Sequence, residues 1–313
     1  MSVKKIVVLG TGGTIAGTAA SPGDNVGYTA AQVGVAQLLA PVAALQGLPL
    51  HTEQVAQLDS KDMTFEVWRT LALRCAHWLA QDDVQGLVIT HGTDTLEETA
   101  YFLQAVLAPA KPVVLTCAMR PSTAMVPDGP QNLVDAVTVA CLPAAHGVVA
   151  VCAGVIHGAN DVQKVHTYRL DAFGSGDAGP LGYVEEGAVR VLRPWPAGEP
   201  APAAAALAAV ATSVRAVPQV EIVLSHAGAT GALVRALAAQ GVQGIVVAGT
   251  GNGTLHSNLL AALHDARQAG MRVVRATRCA NGRVLATGAD AFPDSRGLSP
   301  VKARIALMLE LMH

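Results

Sequence analysis

Ile6-Val7-Val8-Leu9-Gly10-Thr11-Gly12-Gly13-Thr14-Ile15-Ala16-Gly17 opens the chain with an apolar, β-branched run that ends in a glycine loop. A continuous apolar run of this length predicts a strand covered on both faces. The loop does not read as a dinucleotide site. Gly10 and Gly12 begin the G-x-G-x-x-G spacing, but Ile15 stands where the third glycine belongs, and no acidic residue closes a second strand at the usual distance. No Gly-Lys-Ser/Thr follows, which removes the phosphate loop of nucleotide hydrolases. By itself the glycine cluster is met equally well by a tight turn whose glycines supply positive φ. The threonines among the glycines favour a chemical role. A hydroxyl flanked by glycine is sterically open, and neighbouring N–H groups can face a developing oxyanion, as acyl transfer requires.

The same alternation continues outward. Gly86–Thr90, Val113–Thr116 and Val148–Cys152 read as further strands, and 33–45, 64–81 and 96–107 carry helical spacing. Near Arg193 the texture changes. Pro194, Pro196, Pro200 and Pro202 lead into Ala203–Ala206, which reads as an interdomain linker. Beyond it, 221–224, 244–248 and 272–275 read as strands, and 229–239, 255–269 and 301–312 as helices, the last with Ser299 as N-cap and Pro300 at the first helical position. The expected fold is therefore α/β in two domains, each a mainly parallel sheet flanked by helices. The larger N-terminal domain covers 1–192, the linker 193–217 and the smaller C-terminal domain 218–313.

The bulk composition excludes several classes. In 313 residues, 51% are hydrophobic and 14% charged, so the chain is not disordered. The net charge of -2 has no basic block, and aromatics are 4%. Nucleic acid and membrane surfaces are thus poor partners. Cys75, Cys117, Cys141, Cys152 and Cys279 are scattered with no CxxC pair and read as small buried hydrophobes. This usage fits a reducing compartment. Lys4-Lys5 precedes an apolar run that stops at Gly10, too short for the apolar region of a signal peptide. A soluble, cytoplasmic protein is expected, with no metal.

The second constellation follows the strand Gly86–Thr90: His91-Gly92-Thr93-Asp94-Thr95-Leu96-Glu97-Glu98-Thr99-Ala100-Tyr101. Ligands of open parallel sheets bind at the carboxyl ends of strands, where this loop lies. Thr95 and Glu98 have capping-box spacing, which accounts for them without chemistry. Thr93 and Asp94 precede the helix, where a carboxylate can hold a substrate ammonium. A hydroxyl nucleophile also needs a group to activate it. Lys164, in the polar stretch Asn160–Thr167, is a candidate.

These residues identify a resemblance. Residues 11–17 and 91–100 are similar to the two signature motifs of bacterial-type L-asparaginases (asparaginase/glutaminase). Ala118–Ser122, Asp128–Leu133, Gly179–Gly182, Gly249–Gly253 and Pro300–Arg304 resemble further segments of that family. The resemblance implies Thr14 as nucleophile and Tyr28 as the tyrosine of a mobile loop that contacts it. It also implies a second triad of Thr93, Asp94 and Lys164, in which Lys164 tunes Thr93. Gly13, Ser60, Thr93, Asp94 and Ala118 form the implied substrate-binding set, with Ser60 on the α-carboxylate and Asp94 on the α-ammonium. The implied reaction is cofactor-free. A threonine attacks the side-chain amide of L-asparagine, ammonia leaves, and water hydrolyses the acyl-enzyme to aspartate. The implied assembly is a homotetramer of intimate dimers with shared active sites.

Three departures bear on substrate. Lys61 follows Ser60 where many relatives carry Gln or Glu; a lysine here is expected to point outward, since burying it is costly. The segment Cys279–Ser299 is short, and Asp290 is the candidate for the acidic residue that a neighbouring subunit usually supplies. Thr254-Leu255-His256 follows the Gly251–Gly253 loop where relatives often have Asn and Tyr. Alternatives are an amidohydrolase acting on another amide such as glutamine, and a non-catalytic small-metabolite binding protein. The asparaginase-like subunit of tRNA-dependent amidotransferases is more distant, because it calls for an additional N-terminal domain and a basic patch.

Overall fold

The computed structural model describes residues 4–213, 217–287 and 292–312. These residues fall into two compact units that divide at Leu207/Ala208. In the first unit the strands are β1 (Lys5–Gly12), β2 (Leu50–Leu58), β3 (Val84–Thr90), β4 (Val113–Thr116), β5 (Val148–Cys152), β6 (Val155–Gly158), β7 (Gln163–Lys164), β8 (Phe173–Gly174), β9 (Gly182–Glu185) and β10 (Ala188–Val191). Eight of them make one sheet in the order β10-β9-β6-β5-β4-β3-β1-β2. From β2 to β5 the pairs are parallel; β6, β9 and β10 add antiparallel strands at the far side. The short pair β7-β8 stands apart and carries Lys164.

The expected central strands are all present, because β3, β4 and β5 are buried along nearly their whole length. Alternation sends Ile6, Val8, Val88, Val114 and Val149 to one face. There they pack with Val35 and Leu38 of α1 (Val35–Leu39) and with Leu133, Ala136 and Val137 further along the chain. The opposite face is covered by α2 (Phe65–Leu79) and α3 (Leu96–Leu107), where Trp68 stacks on Phe102 at 5.0 Å between centroids. Each fully buried Val, Leu or Phe contributes about 1.5–3 kcal/mol relative to exposure. α4 (Gly129–Cys141), which carries Leu133 and Val137, starts with Pro130 in its first turn.

Several local expectations are corrected. The helical stretch 33–45 is α1 followed by a 3-10 turn at Ala43–Leu45. Pro41 has no N–H to continue the ladder and interrupts it. β2 was not expected: it is an edge strand with His51, Glu53, Gln54 and Gln57, and so lacks an apolar run. Thr95 stands at the cap of α3 but makes no side-chain cap bond; its hydroxyl donates to the Ser60 carbonyl at 2.8 Å. Cys75, Cys117 and Cys152 are buried as expected, whereas Cys141 and Cys279 are exposed.

The Pro/Ala stretch expected as a linker contains α5 (Pro200–Thr212), and the division between the units falls inside it. Alanine has the highest helix propensity, and Pro200 and Pro202 occupy the first turn, where a missing N–H costs nothing. The second unit holds a parallel sheet of β11 (Val220–Leu224), β12 (Gly244–Gly249) and β13 (Arg272–Thr277) in that order. α6 (Ala232–Ala239), α7 (Ser257–Gln268) and α8 (Pro300–Glu310) belong to the same unit, and Val234, Leu259 and Leu263 pack with Ile245 and Val247 in its core. Ser299 precedes α8, but its hydroxyl makes no cap bond.

Candidate active site

β1 ends in a turn that only glycine accommodates. Gly12 and Gly13 have φ of +103° and +83°, and a Cβ on Gly13 would overlap the backbone of Gly92. The two glycine loops therefore touch backbone to backbone, which unites the loop bearing Thr14 with the loop bearing Thr93. Thr11 Oγ1 donates to the Thr90 carbonyl at 2.8 Å and fixes the approach further. Gly13→Ala combines a left-handed φ with this overlap. It is expected to cost about 3 kcal/mol and to separate the loops, measured as a lower urea midpoint together with loss of activity.

Thr14 starts a 3-10 turn and is 6% exposed. Its hydroxyl lies 2.6 Å from the Tyr28 phenol. Tyr28 is held by the pairing of Thr18 with Thr29, two backbone bonds of 2.9 Å, and by Ala31 N donating to the Gly13 carbonyl. The segment carrying Tyr28 is thus laced to the loop carrying Thr14.

Lys164 Nζ is 2.8 Å from Thr93 Oγ1 and 2.6 Å from Asp94 Oδ1. Thr93 and Asp94 come from the end of β3 and Lys164 from β7, so the sheet's crossovers bring together residues 71 and 70 positions apart. Thr93 is buried, while Asp94 keeps about half of its side chain exposed. Ser60 is buried, and its hydroxyl accepts the Asp94 N–H at 3.2 Å.

Ala118, at the end of β4, is buried. Its loop is clamped: Asp128 accepts the N–H groups of Met119 and Arg120 at 2.8 and 3.0 Å, and Asn132 donates to the Cys117 carbonyl at 2.9 Å. Ser122 binds the Gly17 carbonyl through both its N–H and its hydroxyl, which joins this loop to the first one. Lys61 points outward as expected. Its ammonium pairs with Asp62 at 2.7 Å and Asp59 at 3.3 Å, which raises its pKa. Asp290 lies outside the described residues. In the second unit, Asn252 is bound in both directions to the Leu285 backbone, at 3.0 and 2.7 Å. Among the described residues there is no cluster of three His, Cys, Asp or Glu able to hold a metal. No helix among them is long and apolar enough to cross a membrane.

Residue-type reasoning gave no role to His91, Asp128 or Asn132. His91 is fully buried at the end of β3, and burial pushes its pKa down to about 4. In the unfolded chain the ring titrates near 6.5. Between these values the unfolded state binds a proton that the folded state does not, so stability is untouched above pH 6.5 and falls as pH drops from 6.5 towards 4. The expected loss is about 3 kcal/mol, seen as a urea midpoint that declines across this window and declines less in His91→Gln.

The asparaginase N-terminal model matches residues 5–197, and the glutaminase/asparaginase C-terminal domain model matches 219–313. The chain belongs to the asparaginase family. L-asparaginase 2 of Escherichia coli K12 is 39% identical to it, over 99% of this chain and 90% of that protein. A glutaminase-asparaginase of Pseudomonas fluorescens is 37% identical, over 98% of this chain and 86% of that one. A crystal structure described as a probable cytoplasmic L-asparaginase from Campylobacter jejuni superposes with a TM-score of 0.89 at 36% identity, covering 98% of this chain and 95% of that one. This asparaginase-family fold carries both signature loops in contact with each other.

Proposed function

We propose that the chain is an L-asparagine amidohydrolase that releases aspartate and ammonia through a threonine acyl-enzyme. The observation that carries this reading is the paired arrangement on touching glycine loops. The Thr14 hydroxyl is bonded to Tyr28 at 2.6 Å beside one loop, and Lys164 of β7 joins Thr93 and Asp94 on the other. In the proposed reaction Thr14 Oγ1 forms a bond to the side-chain amide carbon. The hydroxyl proton is passed by way of Tyr28 to the amide nitrogen, and the C–N bond breaks to release ammonia. Water then adds to the ester and returns a proton to Thr14 as aspartate leaves. Asp94 and Ser60 hold the α-ammonium and α-carboxylate, Lys164 orients and polarises Thr93, and Gly13 and Ala118 present backbone to the amide.

A second reading, glutamine as co-substrate, is favoured by the naming of relatives. Proteins of similar identity are called both L-asparaginase and glutaminase-asparaginase. The proposal includes a homotetramer with shared sites, so a fully active isolated monomer would contradict it. It also includes a cytoplasmic location, supported by the similarity to the Campylobacter jejuni protein. The relatives also include one named as periplasmic, from Haemophilus influenzae.

The direct test is ammonia release by the purified protein from L-asparagine, L-glutamine and a panel of other amides. Turnover of L-asparagine is expected. Cleavage of another amide with L-asparagine untouched would keep the chemistry and refute the substrate. No release from any amide would support a binding protein instead.

A further inference from the structure

A chain of three buried side chains runs beneath the second loop. Trp68 Nε1 donates to Thr99 Oγ1 at 2.8 Å, Thr99 Oγ1 lies 2.9 Å from His91 Nε2, and His91 Nδ1 lies 2.7 Å from the Gly92 carbonyl. All three residues are at least nine-tenths buried. We infer that His91, Thr99 and Trp68 form a one-directional hydrogen-bond relay that fixes the Gly92–Thr93 peptide, so that the Thr93 N–H serves as an oxyanion donor. This inference rests on the amidohydrolase reading and names positioning residues for it.

The direction of the relay follows from the donors and acceptors. A carbonyl oxygen only accepts, so the 2.7 Å contact requires the proton on His91 Nδ1. In a neutral ring Nε2 is then an acceptor, and Thr99 must donate to it. The indole N–H of Trp68 can only donate, and it fills the lone pair that Thr99 has left. Each group has one role, and no other tautomer satisfies all three contacts.

The consequence lies on the far edge of the peptide. In a trans peptide the C=O and N–H point in opposite directions. With the Gly92 carbonyl held on the buried imidazole, the Thr93 N–H faces away from it. Among the described residues that N–H has no protein acceptor. The peptide needs such a hold. Gly92 lacks a Cβ because Ser60 Oγ and the Gly13 backbone crowd its place, and a glycine peptide flips easily when nothing pins its oxygen. A flipped peptide would aim a carbonyl, not an N–H, at the developing negative charge.

The test combines kinetics with the tautomer itself. ¹⁵N-histidine NMR of the wild-type protein at neutral pH is expected to show His91 neutral with the proton on Nδ1. Thr99→Val keeps the side-chain shape and removes the relay's middle link. Its kcat per folded protein, on the amide that the wild type cleaves, is expected to fall about tenfold or more with KM little changed. Thr99→Ser keeps the hydroxyl and is expected to stay close to wild type. A proton on Nε2 or a charged ring would overturn the inference, and so would a wild-type kcat in Thr99→Val or an equal loss in Thr99→Ser. The NMR result does not depend on any variant folding. If the wild type cleaves no amide, the amidohydrolase reading fails, and the tautomer still decides whether the relay exists.

Discussion

Thr14→Ala is expected to lower turnover of L-asparagine on the order of 10⁴-fold or more, with the folded state intact. The hydroxyl oxygen is the atom proposed to bond to substrate, and a water in its place would have neither its placement nor its hold on Tyr28. Its polar contact is the 2.6 Å bond to that half-buried phenol, and removing it costs about 1 kcal/mol. Gly12, Gly13 and the Tyr28 segment keep their own backbone bonds, including Gly13 N to the Leu58 carbonyl at 2.9 Å. Circular dichroism and the urea midpoint should therefore stay near wild type while ammonia release disappears. Residual activity within tenfold of wild type would take the nucleophile's role from Thr14.

Lys164→Met should be nearly as severe, with a fall of about 10³-fold in kcat. Methionine matches the unbranched side chain out to Cε and removes the ammonium that touches both Thr93 and Asp94. Asp94 then loses its ion partner, and Thr93 loses the group that sets its hydroxyl direction. Lysine cannot be replaced here by arginine, whose planar fork cannot place one nitrogen against both oxygens in the same way. Lys164→Arg is expected to recover little. The check is steady-state kinetics of both variants beside a thermal melt. A Lys164→Met protein that turns over at the wild-type rate would leave this triad with a structural role only.

The central strands and the chemistry-bearing loops were legible in the sequence for different reasons. β3, β4 and β5 lie between two helical layers, so their burial writes itself as unbroken apolar residues. β2 and β10 sit at the edges, where polar side chains are tolerated, and they leave no such run. Pro41 and Pro200 act in opposite senses. The first interrupts a periodic stretch in its middle, and the second starts a helix inside the stretch that reads as a linker, where the two units divide. Thr14, Thr93 and Asp94 stand inside contiguous motifs. Lys164 reaches Thr93 across 71 positions, a meeting set by the topology of the sheet, and no local periodicity encodes it. His91 was in view within the second motif, but its meaning depends on Thr99 and Trp68, which reach it from two different helices. The outward aim of Lys61 followed from the cost of burying its charge, and Asp59 and Asp62 are the partners that hold it there.

The most direct test of a threonine acyl-enzyme is to quench the protein in acid during turnover of L-asparagine and map the modified peptide by mass spectrometry. The account predicts a transient ester, heavier by one aspartyl group, on the peptide containing Thr14, and its absence in Thr14→Ala. The same adduct on Thr93, or steady turnover with no covalent species under quench conditions that preserve esters, would contradict it.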